Sequence, residues 1–467
     1  METPFKTVFC FFLVFILFSV TFVDASVHPI AIQGRFFVDT VTSSPFYIKG
    51  VDYQPGGSSG VTAEKDPLSN PETCTRDIIL FQELGINTIR VYSVNPDLNH
   101  DKCMTLLANA GIYLVLDVNS PLENQNLNRY EPWKSYNLEY LNHIFKIVEQ
   151  FSYYNNTLAF FAGNEVVNDR RSAKASSTYV KAVIRDLKNY IQNNSPRSIP
   201  VGYSAADDLH YRIPLAKYLE CEEENAGVDF YGVNSYQWCG YQNFHTSGYS
   251  SLVEDYRDYT KPIFFSEYGC NEVQPRIFQE VSSLYSKDMT GVFSGGLVYE
   301  FSQEPNNYGL VEIDEYGNAR VRQDFEALKN QFKMVQNPSG SQLASMLTTM
   351  RRKQQQAICE LEYDNIEISS GLPYTLADEF IEFGVTVNRG KYIPLTANDF
   401  KTSFKIFGVD GRPLEAREIK QVTDLYAYDT PSTFGIFKSG MYNNFFEGIE
   451  DDELDEFEVW KGQVEKN

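Results

Sequence analysis

Eight short runs of apolar, β-branched and aromatic residues recur between residues 46 and 301, at 46–53, 88–94, 113–118, 158–165, 200–205, 229–236, 262–269 and 295–301. A run that is apolar on both faces must be covered on both faces, as in a parallel sheet wrapped by helices. The gaps carry helical patterns. Leu141, Ile144, Phe145 and Val148 recur at helical spacing in 137–152, and Phe325, Leu328 and Phe332 do so in 321–333. This alternation predicts an α/β fold, a (β/α)8 TIM barrel over residues 26–335. A doubly wound open sheet would want a glycine-rich phosphate turn after its first strand. Val51-Asp52-Tyr53-Gln54-Pro55-Gly56-Gly57 is not one.

The flanks are of a different character. Lys6, the apolar run Val8–Phe22 and the residues Val23-Asp24-Ala25 predict a signal peptide over 1–25, with the mature chain starting at Ser26. The apolar run is short for a membrane span. Six cysteines remain in the mature chain: Cys74, Cys103, Cys221, Cys239, Cys270 and Cys359. An even set in a secreted chain predicts disulfides, although the sequence alone does not pair them. A zinc site is the rival, but no CxxC or cluster of histidines supports it. Sequons at Asn155 and Asn193 fit the same compartment. Beyond 335, Asn337-Pro338-Ser339-Gly340-Ser341 reads as a linker and 342–357 is helix-compatible. Alternating segments at 382–393 and 403–407 predict a small, mostly β C-terminal appendage within 336–445. The acidic stretch Glu447–Glu458 predicts a disordered tail over 446–467.

A net charge of −22 disfavours nucleic acid as a partner. No HExxH or GxSxG motif is present, and no metal or other cofactor is expected. In a barrel of this kind chemistry sits at the C-terminal ends of the strands. Those ends carry Asp52, Tyr53 and Gln54; Arg90 and Tyr92; Asp117; Asn164 and Glu165; Tyr236; Glu267 and Tyr268; and Tyr299 and Glu300. Glu165 closes the fourth run and Glu267 nearly closes the seventh, on roughly opposite sides of the mouth. Two carboxyl groups flanking one bond are what glycosidic cleavage requires: one protonates the leaving oxygen, the other attacks the anomeric carbon or activates water. Tyr92, Tyr236, Tyr299 and Tyr308 are expected near the same mouth, where rings stack on sugar faces and hydroxyls donate hydrogen bonds.

These residues resemble a known family. Gly50–Gly57, Arg90-Val91-Tyr92-Ser93, Ala162-Gly163-Asn164-Glu165, Tyr231–Gly240, Ser266–Cys270, Gly296–Phe301 and Asn307–Val311 look like the fungal β-1,3-glucanosyltransferases of glycoside hydrolase family 72. Asn95–His100 is similar to the sporulation-type yeast members in particular. The resemblance implies a retaining double displacement on β-1,3-glucan. Glu267 would be the nucleophile and Glu165 the acid/base. Asn164 would hydrogen-bond the sugar 2-hydroxyl. Gln54, Tyr92, Asp117, Tyr236 and Tyr299 would line donor subsites, with Asp207 and Arg212 on the acceptor side. It implies the pairs Cys74–Cys103, Cys221–Cys359 and Cys239–Cys270, and donor and acceptor glucan chains as partners. It also implies a place at the cell surface or in a cell or spore wall. Family members commonly end in a hydrophobic tail that directs a GPI anchor. The segment Trp460–Asn467 is not such a tail, so membrane association is expected only if one lies outside this sequence. The alternatives are a secreted endo-β-1,3-glucanase and a non-catalytic glucan-binding wall protein.

Overall fold

The computed structural model describes residues 25–336, 338, 357–422 and 426–427. The signal segment up to residue 24, most of the linker, nearly all of the 342–357 stretch and the acidic tail lie outside those residues.

Eight strands form the barrel: β1 (Ile48–Asp52), β2 (Thr88–Val91), β3 (Tyr113–Asp117), β4 (Thr157–Asn164), β5 (Val201–Ala206), β6 (Phe230–Asn234), β7 (Ile263–Tyr268) and β8 (Phe293–Val298). All neighbours are parallel, and β8 closes back on β1 with Val298 opposite Val51. Each strand is followed by a helix: α1 (Pro71–Leu84), α2 (Asp101–Asn109), α3 (Leu138–Phe151), α4 (Ser177–Asn194), α5 (Arg212–Glu220), α6 (Tyr249–Asp255), α7 (Glu280–Leu284) and α8 (Gln323–Met334). The local signals are of the ordinary kind. The Asn70 side chain accepts from the N–H groups of Glu72 and Thr73, Pro71 opens α1, and Gly85 ends it at φ 74°. In α3 one face buries Leu141, Ile144, Phe145 and Val148 against the strands.

Side chains pointing into the barrel fall into two tiers. The lower tier is apolar: Ile48, Val115, Phe161, Phe230, Phe264 and Leu297 pack as one cluster. A three-stranded sheet (Ile30–Gln33, Phe36–Asp39, Pro45–Phe46) caps it from below, and the Phe37 ring lies 6.0 Å from that of Phe230. The upper tier is polar and buried: Asp52, Arg90, Asp117, Ser204, Asn234 and Ser266. Strand alternation dictates this. Asp52 and Ile48 are an even number of residues apart and share a face, as do Asp117 and Val115, and Ser266 and Phe264. A polar tier above an apolar plug is a floor for chemistry at the mouth.

The appendage differs in part from its expected texture. The segment 403–407 does supply a strand, Ile406–Phe407, which joins a small sheet with Val311–Ile313 and Ala319–Val321. The alternating stretch 382–393 forms no strand. It runs from the end of a short helix (Asp378–Phe383) into extended chain lying along the barrel's outer helices. Its backbone finds barrel partners in place of a ladder: Gly390 N–H donates to Gln150 O, Lys391 N–H to Asp101 and Ile393 N–H to Thr105. Asn155 is 1 % exposed in the turn before β4, so that sequon offers no room for a glycan, whereas Asn193 at the end of α4 is exposed.

One buried acid sets a pH dependence of stability. Glu280 heads α7, and burial pushes its carboxyl from the ordinary 4.5 to about 7, with Arg276 offsetting only part of this. Between those two values the folded chain holds a proton that the unfolded chain has lost. Stability therefore falls as pH rises through this window and levels off above it. Glu280→Gln is expected to remove that slope. It should leave stability unchanged near pH 4 and raise it at pH 8, by at most about 3 kcal/mol, as read from urea midpoints at the two pH values.

Candidate active site

Arg90 is the hub of the polar tier. It projects from β2, fully buried, and all five of its N–H groups are used. Nε and Nη2 grip Asp117 in a two-pronged pair at 2.9 and 2.8 Å. Nη2 also reaches Asn164 Oδ1 at 3.1 Å, and Nη1 reaches Ser266 O at 3.2 Å and Glu267 Oε1 at 3.4 Å. One guanidinium thus joins the ends of β2, β3, β4 and β7.

Glu267 is 8 % exposed and held on both carboxyl oxygens. Tyr92 donates to Oε1 at 2.8 Å and Tyr236 to Oε2 at 2.6 Å. Burial pushes its carboxyl up, and the Arg90 charge and the two tyrosine hydrogen bonds pull it back, while Glu165 adds an upward push. The balance leaves the carboxyl above the ordinary carboxylate range. Tyr236 and Tyr92 belong to a ring cluster with Tyr299 and Tyr308, whose own centroids lie 5.1 Å apart.

Glu165 follows the last residue of β4 with φ 47°, a left-handed conformation that is strained for a non-glycine residue. Its N–H donates to Ser204 O at 2.8 Å, which holds the turn. The side chain is half-buried, and Asn234 Nδ2 donates to its Oε1 at 2.9 Å. The same Nδ2 donates to Asn164 Oδ1 at 3.0 Å, and Ser266 donates to Asn234 Oδ1 at 2.7 Å. Asn234 therefore orients both Asn164 and Glu165 from β6.

Above this floor lies a cleft of about 1300 Å³. Gln54, Tyr92, Asp117, Asn164, Glu165, Glu267 and Tyr299 all line it. Gln54 braces the strand ends, its Oε1 accepting from the N–H groups of Tyr92 and Ser93. Asp207 and Arg212 stand outside this lining. They pair with each other at 2.7 Å, and Asp207 accepts from Ser235 at 2.9 Å, beside Tyr236. The six cysteines are joined as Cys74–Cys103, Cys221–Cys359 and Cys239–Cys270. The last pair ties the β6 loop that carries Tyr236 to the β7 loop that follows Glu267. Cys221–Cys359 ties the appendage to the end of α5.

Several contributors were given no role by the sequence. Arg90 and Asp52 stand at strand ends, and a charged residue on a strand buried on both faces is itself a signal. Asn234, polar but uncharged at the end of such a strand, gives a weaker one. The walls give none: Asn126–Tyr130 after β3 and Glu304–Asn306 after β8 line the cleft from irregular loops. Arg276 is also silent in sequence. It pairs with Asp324 at 2.8 Å and donates to Tyr299 O at 2.7 Å and to Tyr308 O, riveting the β8 loop.

Comparison with known proteins agrees with this geometry. A family model described as glucanosyltransferase matches residues 19–336. The 1,3-beta-glucanosyltransferase GAS4 of Saccharomyces cerevisiae is 56% identical over 423 residues, covering 89% of each chain. The 1,3-beta-glucanosyltransferase gel2 of Aspergillus fumigatus is 44% identical over 394 residues, covering 84% of this chain and 82% of its own. Among solved structures, Saccharomyces cerevisiae Gas2p in complex with laminaritriose and laminaritetraose superposes with a TM-score of 0.68 at 37% identity, over 75% of this chain and 78% of that one. With the whole barrel inside the family match and such identity across most of two chains, this protein belongs to the glucanosyltransferase family.

Proposed function

We propose that the protein is a retaining β-1,3-glucanosyltransferase that cleaves β-1,3-glucan and adds the released segment to the non-reducing end of another glucan. The observation that carries this reading is the pair of carboxyl groups in one cleft, held differently. Glu267 has hydroxyl donors on both oxygens and a guanidinium beneath it, and Glu165 is steered by one amide.

In the first half-reaction a Glu267 oxygen attacks the anomeric carbon. The glycosidic C–O bond breaks, and the Glu165 proton passes to the departing oxygen. In the second, Glu165 takes the proton of the acceptor's 3-hydroxyl, whose oxygen displaces Glu267. Two inversions leave a β linkage. Asn164 Oδ1 is committed to Arg90, Ser204 and Asn234, so its Nδ2 is the atom free to serve a sugar 2-hydroxyl. Tyr92, Tyr236 and Tyr299 offer donor-side rings, with Gln54 and Asp117 beneath them, and Asp207 and Arg212 act on the acceptor side. Glucan chains are the partners, and the three disulfides support work outside the cell, in cell-wall or spore-wall assembly.

Incubation with a single laminari-oligosaccharide tests the reading. Products longer than the substrate are expected; only shorter ones would make the protein an endo-glucanase. Glu165→Gln should lower turnover by about 10²–10⁴-fold, and unchanged turnover would remove Glu165 from the acid/base role.

A further inference from the structure

Asp52 ends β1 and is fully buried beside Arg90, which stands opposite it on β2. Neither carboxyl oxygen has a hydrogen-bond partner among the described residues. Arg90 has none to give, because its five N–H groups already serve Asp117, Asn164, Ser266 and Glu267. The groups whose charges face Asp52 are Arg90 on β2, Asp117 on β3, Glu267 on β7 and Glu300 after β8. Tyr92, Tyr236, Tyr268 and Tyr299 adjoin the same space. One cation is thus set among four carboxyl groups, and two of them hold it by hydrogen bonds. A carboxylate left buried and unpaired neutralises itself by keeping its proton.

We propose that Asp52 is a positioning residue for the nucleophile: a neutral carboxylic acid while Glu267 is ionised, and the group that takes over Arg90 when Glu267 loses its charge. This rests on Glu267 as the nucleophile. When the Glu267 oxygen bonds to the anomeric carbon, the carboxylate becomes a neutral ester and its claim on Arg90 lapses. Asp52 then releases its proton through the cleft to water and supplies the missing negative charge beneath the sugar. When the ester is displaced, Glu267 recovers its charge and Asp52 regains a proton. Burial, opposed by Arg90 and reinforced by Glu267 and Asp117, pushes the Asp52 carboxyl well above the usual range, in line with this exchange.

Infrared spectra of the folded, full-length chain near pH 9 read this directly, since Glu280 and Glu300, each raised to about 7, are then ionised. The native protein is expected to show a carboxylic-acid C=O band that is absent from Asp52→Asn. The band should also be absent from Glu267→Gln, in which the competing charge is gone but the shape is kept. Equal spectra for native and Asp52→Asn would overturn the neutral acid, and a band surviving in Glu267→Gln would overturn the exchange. If Asp52→Asn does not fold, aspartate-selective carbon-13 labelling of the native protein still decides, since it shifts a band from Asp52 and leaves one from Glu267 in place. A pH profile gives the second readout. Asp52→Asn should keep the acid limb of turnover in place. A limb displaced downward by a factor of ten or more in proton concentration would mean that Asp52 is charged beside Glu267 in the native enzyme. The spectra need no turnover, so failure of the transfer assay and failure of this proposal are separable.

Discussion

Glu267→Gln is expected to reduce turnover at least about 10⁴-fold, to near the detection limit, while the fold survives. The carboxylate accepts from Tyr92 and Tyr236, one on each oxygen. A glutamine presents one oxygen and one NH₂ to the same two hydroxyls, and a hydroxyl can rotate to accept as well as donate. The pocket therefore stays filled and bonded, and the change in stability should be about 1 kcal/mol or less. The amide has no anionic oxygen to attack the anomeric carbon, so the glycosyl ester cannot form. A second variant separates chemistry from packing. Glu267→Ala opens space where the carboxylate stood, and added azide should restore part of the turnover by attacking from that side, giving an α-glycosyl azide. A β-azide, or rescue of Glu165→Ala in place of Glu267→Ala with an α product, would reverse the assignment of the two carboxyl groups.

Arg90→Met is expected to carry the largest combined cost. Methionine fills much of the same volume, but it leaves Asp117 without its two-pronged partner and Glu267 without the charge beneath it. Breaking a buried pair from one side costs about 3–5 kcal/mol, a large share of the roughly 5–15 kcal/mol that holds a typical domain. The effect on chemistry has a definite sign. Arg90 is the main group holding the Glu267 carboxyl down against burial. Without it Glu267 keeps its proton to higher pH, so the acid limb of turnover should move in the alkaline direction and the maximum should fall. Denaturation midpoints and a pH–rate profile on the same preparation check both. A stable variant with an unmoved acid limb would mean that Glu267 does not depend on Arg90.

Much of this architecture was legible in the chain. Runs such as 113–118 and 262–269 are apolar on both faces and too short for helices, so their alternation with amphipathic stretches left few arrangements open. The strand-end rule then brought Glu165 and Glu267 to one mouth. Other parts were not legible, for identifiable reasons. The 382–393 stretch alternates like a strand, yet three of its backbone N–H groups are satisfied by Gln150, Asp101 and Thr105, on helices 240 to 290 residues earlier in the chain. Alternation reports which side chains are buried and is silent on what the backbone bonds to. The lining loops Asn126–Tyr130 and Glu304–Asn306 have no periodicity at all. Asp207 and Arg212 were placed by motif, and the structure spends them first on each other.

The sequence by itself determined the barrel, the strand-end carboxyl pair and the family resemblance, because local periodicity and short motifs survive without any knowledge of partners. Only the tertiary structure decided how the pair is held. Arg90 divides one charge between Asp117 and Glu267, Asn234 steers Glu165 from two strands away, and Asp52 is buried beside Arg90 with no hydrogen-bond partner among the described residues. These groups stand on different strands, far apart in the chain. Barrel closure buries them together, away from water, where each hydrogen bond taken by one carboxyl is denied to the next.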